Sequence, residues 1–452
     1  MTQGPRIYNL FPTLVGPVAE WTGHLGRIAG MGFTWVYVNP FHETGRSGSL
    51  YAVKDYFRLN PLLAAGDRRG ADEILADFTR SARQHGLDVM MDLVINHTAT
   101  DAPLVKQHPS WYRHEADGSL RSPRAVDPDD PSKVTVWGDL AELDYSERPE
   151  RAEMMAFACK VVHHYARLGF RGFRCDAAYQ IPGRVWEEVI AAARGVRPET
   201  VFVAETLGCT PDQVEQLAVA GFDYLFNSSK WWDFRAPWLL EQYEAFRRIA
   251  PSIGFPESHD TERLVCDLAA QGITDAVAVE RAYRLRYLFA AFFSTGVMMP
   301  MGYEYGFRRK LDVVATRPAD WEGPQFDLTA FITEVNALKA RVPVLNEEGP
   351  QRRVGASDGG VVALLREGED GAASVLGVLN ADPVERGEVG AGELARAIRR
   401  RPVELFSTDG AASAAPLSMR VLGEASRSEG PVTRAPSSRS TLRDAEKVAC
   451  GR

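Results

Sequence analysis

The sequence lacks the features that mark several common protein classes. Its five cysteines, Cys159, Cys175, Cys209, Cys266 and Cys450, are widely scattered and odd in number. Neither a disulfide framework nor a zinc-ligand spacing follows from them, and reduced thiols in a cytoplasm are the simplest interpretation. No run of eighteen apolar residues is present, so we expect no membrane-spanning segment. The first residues also lack a basic segment followed by an apolar run, so we expect no secretory signal.

Basic residues are also fewer than acidic residues. The 452 residues include 52 Lys and Arg against 60 Asp and Glu, which gives a net charge of -8. Such a balance argues against nucleic acid and anionic membranes as partners, and it suits a neutral ligand. With 45% hydrophobic and 25% charged residues, the composition is typical of a globular protein. We therefore expect a cytoplasmic protein that binds a neutral small molecule.

Short apolar segments alternate with amphipathic helical segments through the first three quarters of the chain. Strands are predicted at residues 7–11, 34–38, 88–95, 172–176, 201–204, 224–227, 253–255 and 296–300. Helices are predicted at residues 71–85, 151–168, 184–194, 238–250 and 276–293, where apolar residues recur at three- and four-residue spacing. This alternation predicts an α/β fold, a TIM (β/α)8 barrel over residues 1–344. An open doubly wound sheet is the alternative.

Three stretches depart from the alternation. Residues 98–150 are rich in Pro, Asp, Ser and Trp and are too long for an ordinary loop, so we expect an insertion after strand three that walls or covers the pocket. Residues 345–422 contain short alternating strands, for example 360–366 and 374–379, and predict a C-terminal antiparallel β domain. Residues 423–452 are Ser, Arg, Gly and Pro without periodicity and are predicted to be disordered.

Polar side chains follow four of the predicted strands at their carboxyl ends. Arg174 and Asp176 close strand four, and they share a face because they are two residues apart. The corresponding residues of the other strands are His97 after strand three, Glu205 after strand five, and His259 and Asp260 after strand seven. One such residue is more simply a strand cap or a structural ion pair. Because the carboxyl ends of barrel strands meet at one face, the cluster together predicts an active site.

These segments resemble the α-amylase family, glycoside hydrolase family 13. The resemblance is carried, in chain order, by residues 92–97, 172–176, 205, 258–260 and 296–306, and it extends over residues 6–340. Tyr51, four residues before Asp55, is similar to the family's tyrosine that stacks on the sugar at the cleavage subsite. Residues 38–56 more loosely resemble the bacterial maltosyltransferases of the family.

The resemblance implies a retaining mechanism. Asp176 is then the nucleophile, which Arg174 keeps ionised, and Glu205 is the general acid and base, with the higher pKa of the two carboxyls. The two carboxyl groups are expected about 5 Å apart. Asp260 is expected to hold sugar hydroxyls near the transition state.

The remaining residues implied by the resemblance contact the substrate. His97 and His259 are expected to donate hydrogen bonds to hydroxyls of the same sugar, while Tyr51 offers its ring as an apolar face. Tyr51 and Asp55 complete the expected substrate-binding residues of this segment.

Two positions depart from many amylases. Tyr179 and Gln180 stand where those enzymes have a Lys-His pair that shapes the acceptor side and helps to bind calcium. Asn96 could still serve as an oxygen ligand, but the residues after the nucleophile do not support a calcium ion. We therefore expect no cofactor and no metal.

Aromatic and basic residues indicate where a glycan and a charged group could bind. Trp111, Tyr112, Trp137, Trp231, Trp232 and Trp238 lie in or near loops of the predicted catalytic face. Any single one is more simply a packing residue, but the adjacent Trp231 and Trp232 are the best candidates for an acceptor subsite. Lys54 and Lys230 could favour a sugar phosphate, although lone loop lysines are usually only solvated.

The sequence thus predicts a retaining α-glucan-active enzyme that transfers a glycosyl unit from an oligosaccharide or α-glucan to a sugar acceptor or to water. A maltosyltransferase that uses a glycosyl phosphate and an enzyme active on sucrose- or trehalose-type disaccharides are the alternatives. A catalytically inactive amylase-like binding subunit is the alternative outside enzymology. Such subunits typically lack one of the three carboxylates, and all three are present here.

Overall fold

Eight parallel strands of the computed structural model close into a barrel whose order around the ring is the order along the chain. The structure describes residues 3–126, 130, 132–355, 361–385, 387, 398, 402–408 and 415–424. The barrel strands are β1 (Arg6–Leu10), β2 (Trp35–Val38), β3 (Asp88–Leu93), β4 (Gly172–Cys175), β5 (Val201–Ala204), β6 (Tyr224–Phe226), β7 (Ser252–Gly254) and β8 (Gly296–Pro300). The predicted TIM barrel is confirmed, and the open sheet is excluded.

The barrel strands are apolar on both faces because helices cover the outside and side chains fill the inside. Every residue of β1, β4 and β8 is buried. Gly172 illustrates how close the packing is: a Cβ at this position would lie 2.8 Å from the ring of Trp35 and 3.0 Å from the methyl group of Met90. A side chain there would force β2 and β3 away from β4.

Helices follow the strands and wrap the barrel. The α-helices of the described residues are Pro12–Val15, Val18–Gly30, Ala71–Gln84, Pro103–Gln107, Arg151–Arg167, Gly183–Val196, Pro211–Glu215, Trp238–Phe246, Leu264–Ala270, Ala276–Phe293 and Thr329–Arg341. None of the helices in this described part of the chain is long and apolar enough to cross a bilayer.

Short strand pairs rise above the carboxyl end of the barrel. After β2, strands His42–Thr44 and Val53–Leu59 pair antiparallel. In the segment where an insertion was predicted, Leu140–Glu142 pairs with His97–Ala99, directly beyond β3. A hairpin of Arg124–Val126 and Val134–Val136 extends further out. The segment is therefore attached to the end of β3 by regular hydrogen bonding.

A five-stranded antiparallel sheet follows the barrel. Its strands are β9 (Gln351–Arg353), β10 (Val361–Glu367), β11 (Ser374–Asn380), β12 (Pro402–Ser407) and β13 (Ser418–Glu424), in the order β9-β10-β11-β13-β12. The predicted C-terminal antiparallel sheet is thus confirmed. The predicted disorder from residue 423 overlaps the last two residues of β13, and its remainder lies outside the described residues.

This sheet packs on the barrel through helix Ala276–Phe293. The buried Arg366 of β10 donates to the carbonyl oxygens of Phe292 and Val344. Gly377 of β11 lies against the Phe292 ring, which a Cβ there would approach to 2.9 Å.

Candidate active site

A cavity of about 490 Å³ opens at the carboxyl end of the barrel strands. Its wall is built by segments that follow β2 to β8, together with the insertion. The lining residues that the sequence had singled out are Tyr51, Asn96, His97, Trp137, Asp176, Tyr179, Gln180, Glu205, Trp231 and Asp260. The structure therefore brings the three expected catalytic carboxylates to one cavity.

Arg174, near the end of β4, is a buried cation that contacts carboxylates of this cavity without lining it. Its Nη1 donates to Oδ1 of Asp92 at 2.8 Å and to Oδ1 of Asp176 at 2.7 Å. Its Nη2 lies 3.0 Å from Oε2 of Glu205. One guanidinium thus holds three carboxylates, two of which face the cavity. The expected separation of about 5 Å between Asp176 and Glu205 stays a prediction.

The carboxyl groups of Asp176 and Glu205 both bind a proton more readily than ordinary carboxyls do. Burial raises the pKa of Asp176 well above its usual range; Arg174 opposes that rise, while Glu205 and Asp92 add to it. Burial also raises the pKa of Glu205, again against Arg174. The sequence led us to expect the higher pKa at Glu205, but the free protein raises the pKa of Asp176 strongly too. The pair therefore titrates as a unit.

A backbone amide completes the environment of Glu205. Ala177, directly after Asp176, has φ 43° and ψ 43°, a left-handed conformation that is uncommon for a residue with a Cβ. Its N–H donates to Oε2 of Glu205 at 2.7 Å. The tight turn after β4 thus aims one amide at the carboxylate of the neighbouring strand.

Asp92, the penultimate residue of β3, is a functional candidate that the sequence analysis did not name individually. It is fully buried and accepts hydrogen bonds from the hydroxyls of Tyr37 at 2.5 Å and Tyr51 at 2.6 Å, besides the one from Arg174. Asn39 donates to both tyrosine hydroxyls at 3.2 Å. The sequence did carry a signal: Tyr37 and Asn39 are two residues apart and share a face, and Asp92 is a charged residue that follows three apolar residues in β3.

His259 and His97 lie on either side of Tyr51. Nε2 of His259 is 2.6 Å from the Tyr51 hydroxyl and 3.1 Å from Oδ2 of Asp260, and its ring lies parallel to the Tyr51 ring. Nε2 of His97 is 3.2 Å from the Tyr51 carbonyl oxygen. Burial lowers the pKa of His259 and lowers that of His97 to about 4, so His97 is neutral at pH 7. A carbonyl oxygen only accepts, so the single N–H of the neutral His97 ring donates to the Tyr51 carbonyl in the free protein.

Several residues expected at the cavity lie elsewhere. Trp232 is fully buried and stacks on Phe289 in the core, whereas its neighbour Trp231 is 49% exposed and lines the cavity. The reason is the turn at Ser229–Trp231, which sends adjacent side chains in opposite directions. Trp111 and Tyr112 are buried core residues too, and Trp238 packs against the core outside the cavity lining.

Asp55 also takes a structural position. Its Oδ1 accepts from the backbone N–H of Phe57 at 2.8 Å, within strand Val53–Leu59, and it does not line the cavity. The side chain of Asp55 therefore stabilises this hairpin rather than meeting the substrate from the cavity wall.

The lysines considered for a sugar phosphate are already paired. Nζ of Lys54 lies 3.4 Å from Asp101, and Nζ of Lys230 lies 2.8 Å from Asp267. The Lys230 side chain is almost completely buried in this pair.

Asn96, the residue considered as an oxygen ligand for calcium, contacts Gln180. Asn96 donates through Nδ2 to Oε1 of Gln180 at 3.1 Å. No group of three or more His, Cys, Asp or Glu among the described residues is arranged to hold a metal ion. Calcium favours six to eight oxygen ligands, which can include carbonyl and amide oxygens, and the expected absence of calcium stays a prediction.

The chain has relatives among proteins of known activity. The family description that matches is the glucanotransferase domain of glycogen debranching enzyme, over residues 3–126. An α-1,4-glucan:maltose-1-phosphate maltosyltransferase of Burkholderia pseudomallei is 32% identical over 370 residues, 80% of this chain and 31% of the relative. The protein of the same name from Myxococcus xanthus is 26% identical, over 80% of this chain and 55% of the relative. The chain thus spans about a third to a half of the length of these relatives.

Solved structures share the whole fold. The α-amylase of Geobacillus thermoleovorans, complexed with acarbose, superposes with a TM-score of 0.72 at 16% identity, covering 94% of this chain and 100% of that one. An α-amylase from Lactobacillus plantarum gives 0.69 at 20% identity, with 93% and 99% covered. In its ordered motifs, its barrel and these relatives, the chain is similar to enzymes of the α-amylase family, glycoside hydrolase family 13.

Proposed function

We propose that this protein is a retaining α-glucan-active enzyme that transfers a glycosyl unit through a covalent intermediate on Asp176. The observation that carries the proposal is that Asp176 and Glu205, from adjacent strands, share one buried guanidinium and face one cavity. A carboxylate beside a fixed cation can act as a nucleophile, and a second carboxyl with a raised pKa can deliver a proton.

The steps follow from this arrangement. Asp176 attacks the anomeric carbon while the carboxylic acid of Glu205 protonates the leaving glycosidic oxygen, which forms a glycosyl ester and frees the reducing-side fragment. Glu205, now a carboxylate held by Ala177 N–H and Arg174, takes a proton from a sugar hydroxyl or water that attacks the ester. The anomeric configuration is retained because two inversions occur.

The contacts of the sugar are assigned to the cavity wall. The Asp260 side chain is 48% exposed and accepts hydroxyl hydrogen bonds, and His97 forms part of the wall. The Tyr51 ring forms part of the wall, fixed by its hydroxyl on Asp92. Trp231 offers an exposed aromatic face near the end of β6.

The donor we propose is a neutral α-glucan. Charged groups along the cavity are all acidic: Asp139, Asp176, Glu205 and Asp260. Among the described residues that line the cavity, none is lysine or arginine. A phosphate dianion next to such carboxylates would meet like charges and lack a direct cationic partner.

A glycosyl-phosphate donor is the second candidate, because the relatives named above are maltose-1-phosphate maltosyltransferases. The experiment that separates the two is a comparison of maltoheptaose and α-maltose 1-phosphate as donors, with and without added phosphate, followed as a product ladder and as new reducing ends. The proposal expects maltoheptaose to be converted without phosphate. Turnover of maltose 1-phosphate alone, with release of inorganic phosphate, would establish the second candidate instead.

A further inference from the structure

A second sugar contact lies in the insertion, at residues 137–139. Trp137 is 40% exposed and lines the cavity, where its indole makes no ring contact with any described residue. Asp139, two residues on, also lines the cavity, and its carboxylate has no hydrogen-bond or ion-pair partner among the described residues. An accessible aromatic ring with a hydrogen-bond acceptor beside it in a cavity is an arrangement that suits the apolar face and the hydroxyls of a sugar.

The backbone fixes this segment against the end of β3. The Trp137 N–H donates to the Pro123 carbonyl at 3.1 Å, and the Thr100 N–H donates to the Asp139 carbonyl at 3.1 Å. The following strand, Leu140–Glu142, pairs with His97–Ala99. The two side chains are therefore held in a fixed relation to His97, whose pKa the Asp139 charge raises in part.

The position relative to the carboxylates suits a chain longer than one sugar. Around the barrel, the order is β3, β4, β5, β6, so the segment beyond β3 and Trp231 after β6 stand on two sides of Asp176 and Glu205. A glucan that crosses the two carboxylates therefore meets an aromatic ring toward each end. Trp231 and Trp137 were both among the aromatic residues expected near the catalytic face, whereas Asp139 was not singled out from the sequence.

We propose that Trp137 and Asp139 form a subsite for a neutral glucosyl residue beyond the cleaved bond. The Trp137 indole stacks on the apolar face of the sugar, and the Asp139 carboxylate accepts hydrogen bonds from its hydroxyls. The same carboxylate repels anionic sugars. The subsite rests on the proposed function, since it presumes that a glucan lies across Asp176 and Glu205.

The first test compares Trp137→Ala with Trp321→Ala, a matched control. Trp321 is also 40% exposed but packs on His24 and Phe307 away from the cavity lining. A stacking contact worth about 1 kcal/mol corresponds to a rise of about five- to tenfold in KM for maltoheptaose. We expect this rise in Trp137→Ala, with kcat within about twofold because the contact is equal in ground and transition states. Trp321→Ala should leave both unchanged.

Asp139 is tested by a pair of variants. Asp139→Ala should raise KM about fivefold by removing the acceptor, and Asp139→Asn should restore most of the affinity because its amide oxygen still accepts a hydrogen bond. Equal KM values in wild type, Trp137→Ala and Asp139→Ala would overturn the subsite. So would a fall in kcat at constant KM, which would indicate a structural role.

Direct binding separates this proposal from the proposed function. Calorimetric titration of maltoheptaose into the Asp176→Asn protein, with and without Trp137→Ala, measures the contact without turnover. A loss of affinity of about five- to tenfold supports the subsite. Normal glucan conversion by the wild type with unchanged binding in Trp137→Ala overturns the subsite alone, whereas a wild type that neither converts nor binds maltoheptaose overturns both proposals.

Discussion

One guanidinium surrounded by three carboxylates sets the chemistry at the scale of single residues. Arg174 contacts Asp92, Asp176 and Glu205, so the cluster carries more negative than positive charge in a buried place. Burial therefore raises the pKa of both cavity-facing carboxyls, and one proton on the pair relieves the imbalance. A retaining glycosidase needs that distribution, one carboxylate and one carboxylic acid.

Asp176→Asn should lower kcat on maltoheptaose by at least about a thousandfold, because an amide cannot form the glycosyl ester. The measurement is initial velocity from the product ladder. Asp67→Asn is a suitable control, since Asp67 pairs with Arg69 on the surface far from the cavity lining. Near-normal turnover in Asp176→Asn would mean that the nucleophile is another residue.

Asp92→Asn tests how the buried charge of Asp92, which contacts Arg174, affects the pKa values of the site. The charge of Asp92 raises the pKa of Asp176 and of Glu205. Its removal lowers both pKa values, so both limbs of the kcat/KM profile against pH should move to lower pH. Tyr37→Phe keeps the charge and removes one hydrogen bond to Asp92, so its limbs should stay in place. If the two apparent pKa values of the kcat/KM profile were unchanged in Asp92→Asn, the groups that titrate in the profile would not be Asp176 and Glu205.

At the scale of elements, the candidate catalytic side chains lie at or just beyond the carboxyl ends of the barrel strands. Arg174 lies within β4, and Asp176 directly follows its last residue. The chain then turns at Ala177. The left-handed conformation at Ala177 is what turns its N–H toward Glu205 on the adjacent strand.

Ala177→Val and Ala177→Gly form a matched test of that turn. A β-branched residue at φ 43° is strained, so Ala177→Val should lose about 1–2 kcal/mol of unfolding free energy in urea and at least about tenfold in kcat. Glycine adopts this conformation freely, so Ala177→Gly should keep stability and activity close to wild type. A valine variant as stable and active as wild type would contradict the role of the turn.

The positions of the strands along the chain could be predicted from the sequence, whereas the directions in which several side chains point could not. The alternation of apolar strands and amphipathic helices located all the barrel strands to within two residues, because buried parallel strands need such continuous apolar runs. Trp232 and Asp55 were misplaced because a turn and a hairpin hydrogen bond, both settled by tertiary packing, decide where they point. Asp92 was overlooked because only the closed barrel shows which strand residues face Arg174.

At the scale of the whole molecule, burial of imidazoles ties the stability of the fold to pH. His42 is buried beside Phe41 and Tyr165, and both ring nitrogens lack a hydrogen-bond partner within the described residues. Burial lowers the pKa of His42 to about 3. The unfolded chain, with an ordinary pKa near 6.5, then binds more protons than the fold between about pH 6.5 and pH 3, so stability falls as the pH drops through that range.

Acid sensitivity should therefore decrease in His42→Leu. Between pH 7.5 and pH 5 the His42 contribution amounts to about 2 kcal/mol of unfolding free energy. Urea unfolding at both pH values should show a smaller loss in His42→Leu than in wild type by about that amount. His114→Leu, at an exposed histidine, should behave like wild type. An equal loss in all three proteins would show that His42 is not the group that titrates.

The stereochemistry of the first product tests the central claim most directly. Maltoheptaose is incubated with the purified protein in the absence of phosphate, and proton NMR follows the anomeric configuration of the newly formed ends or linkages before mutarotation. The account predicts α-configured products from the wild type and none from Asp176→Asn. Products of β configuration, or equal conversion by Asp176→Asn, would contradict a glycosyl intermediate on Asp176.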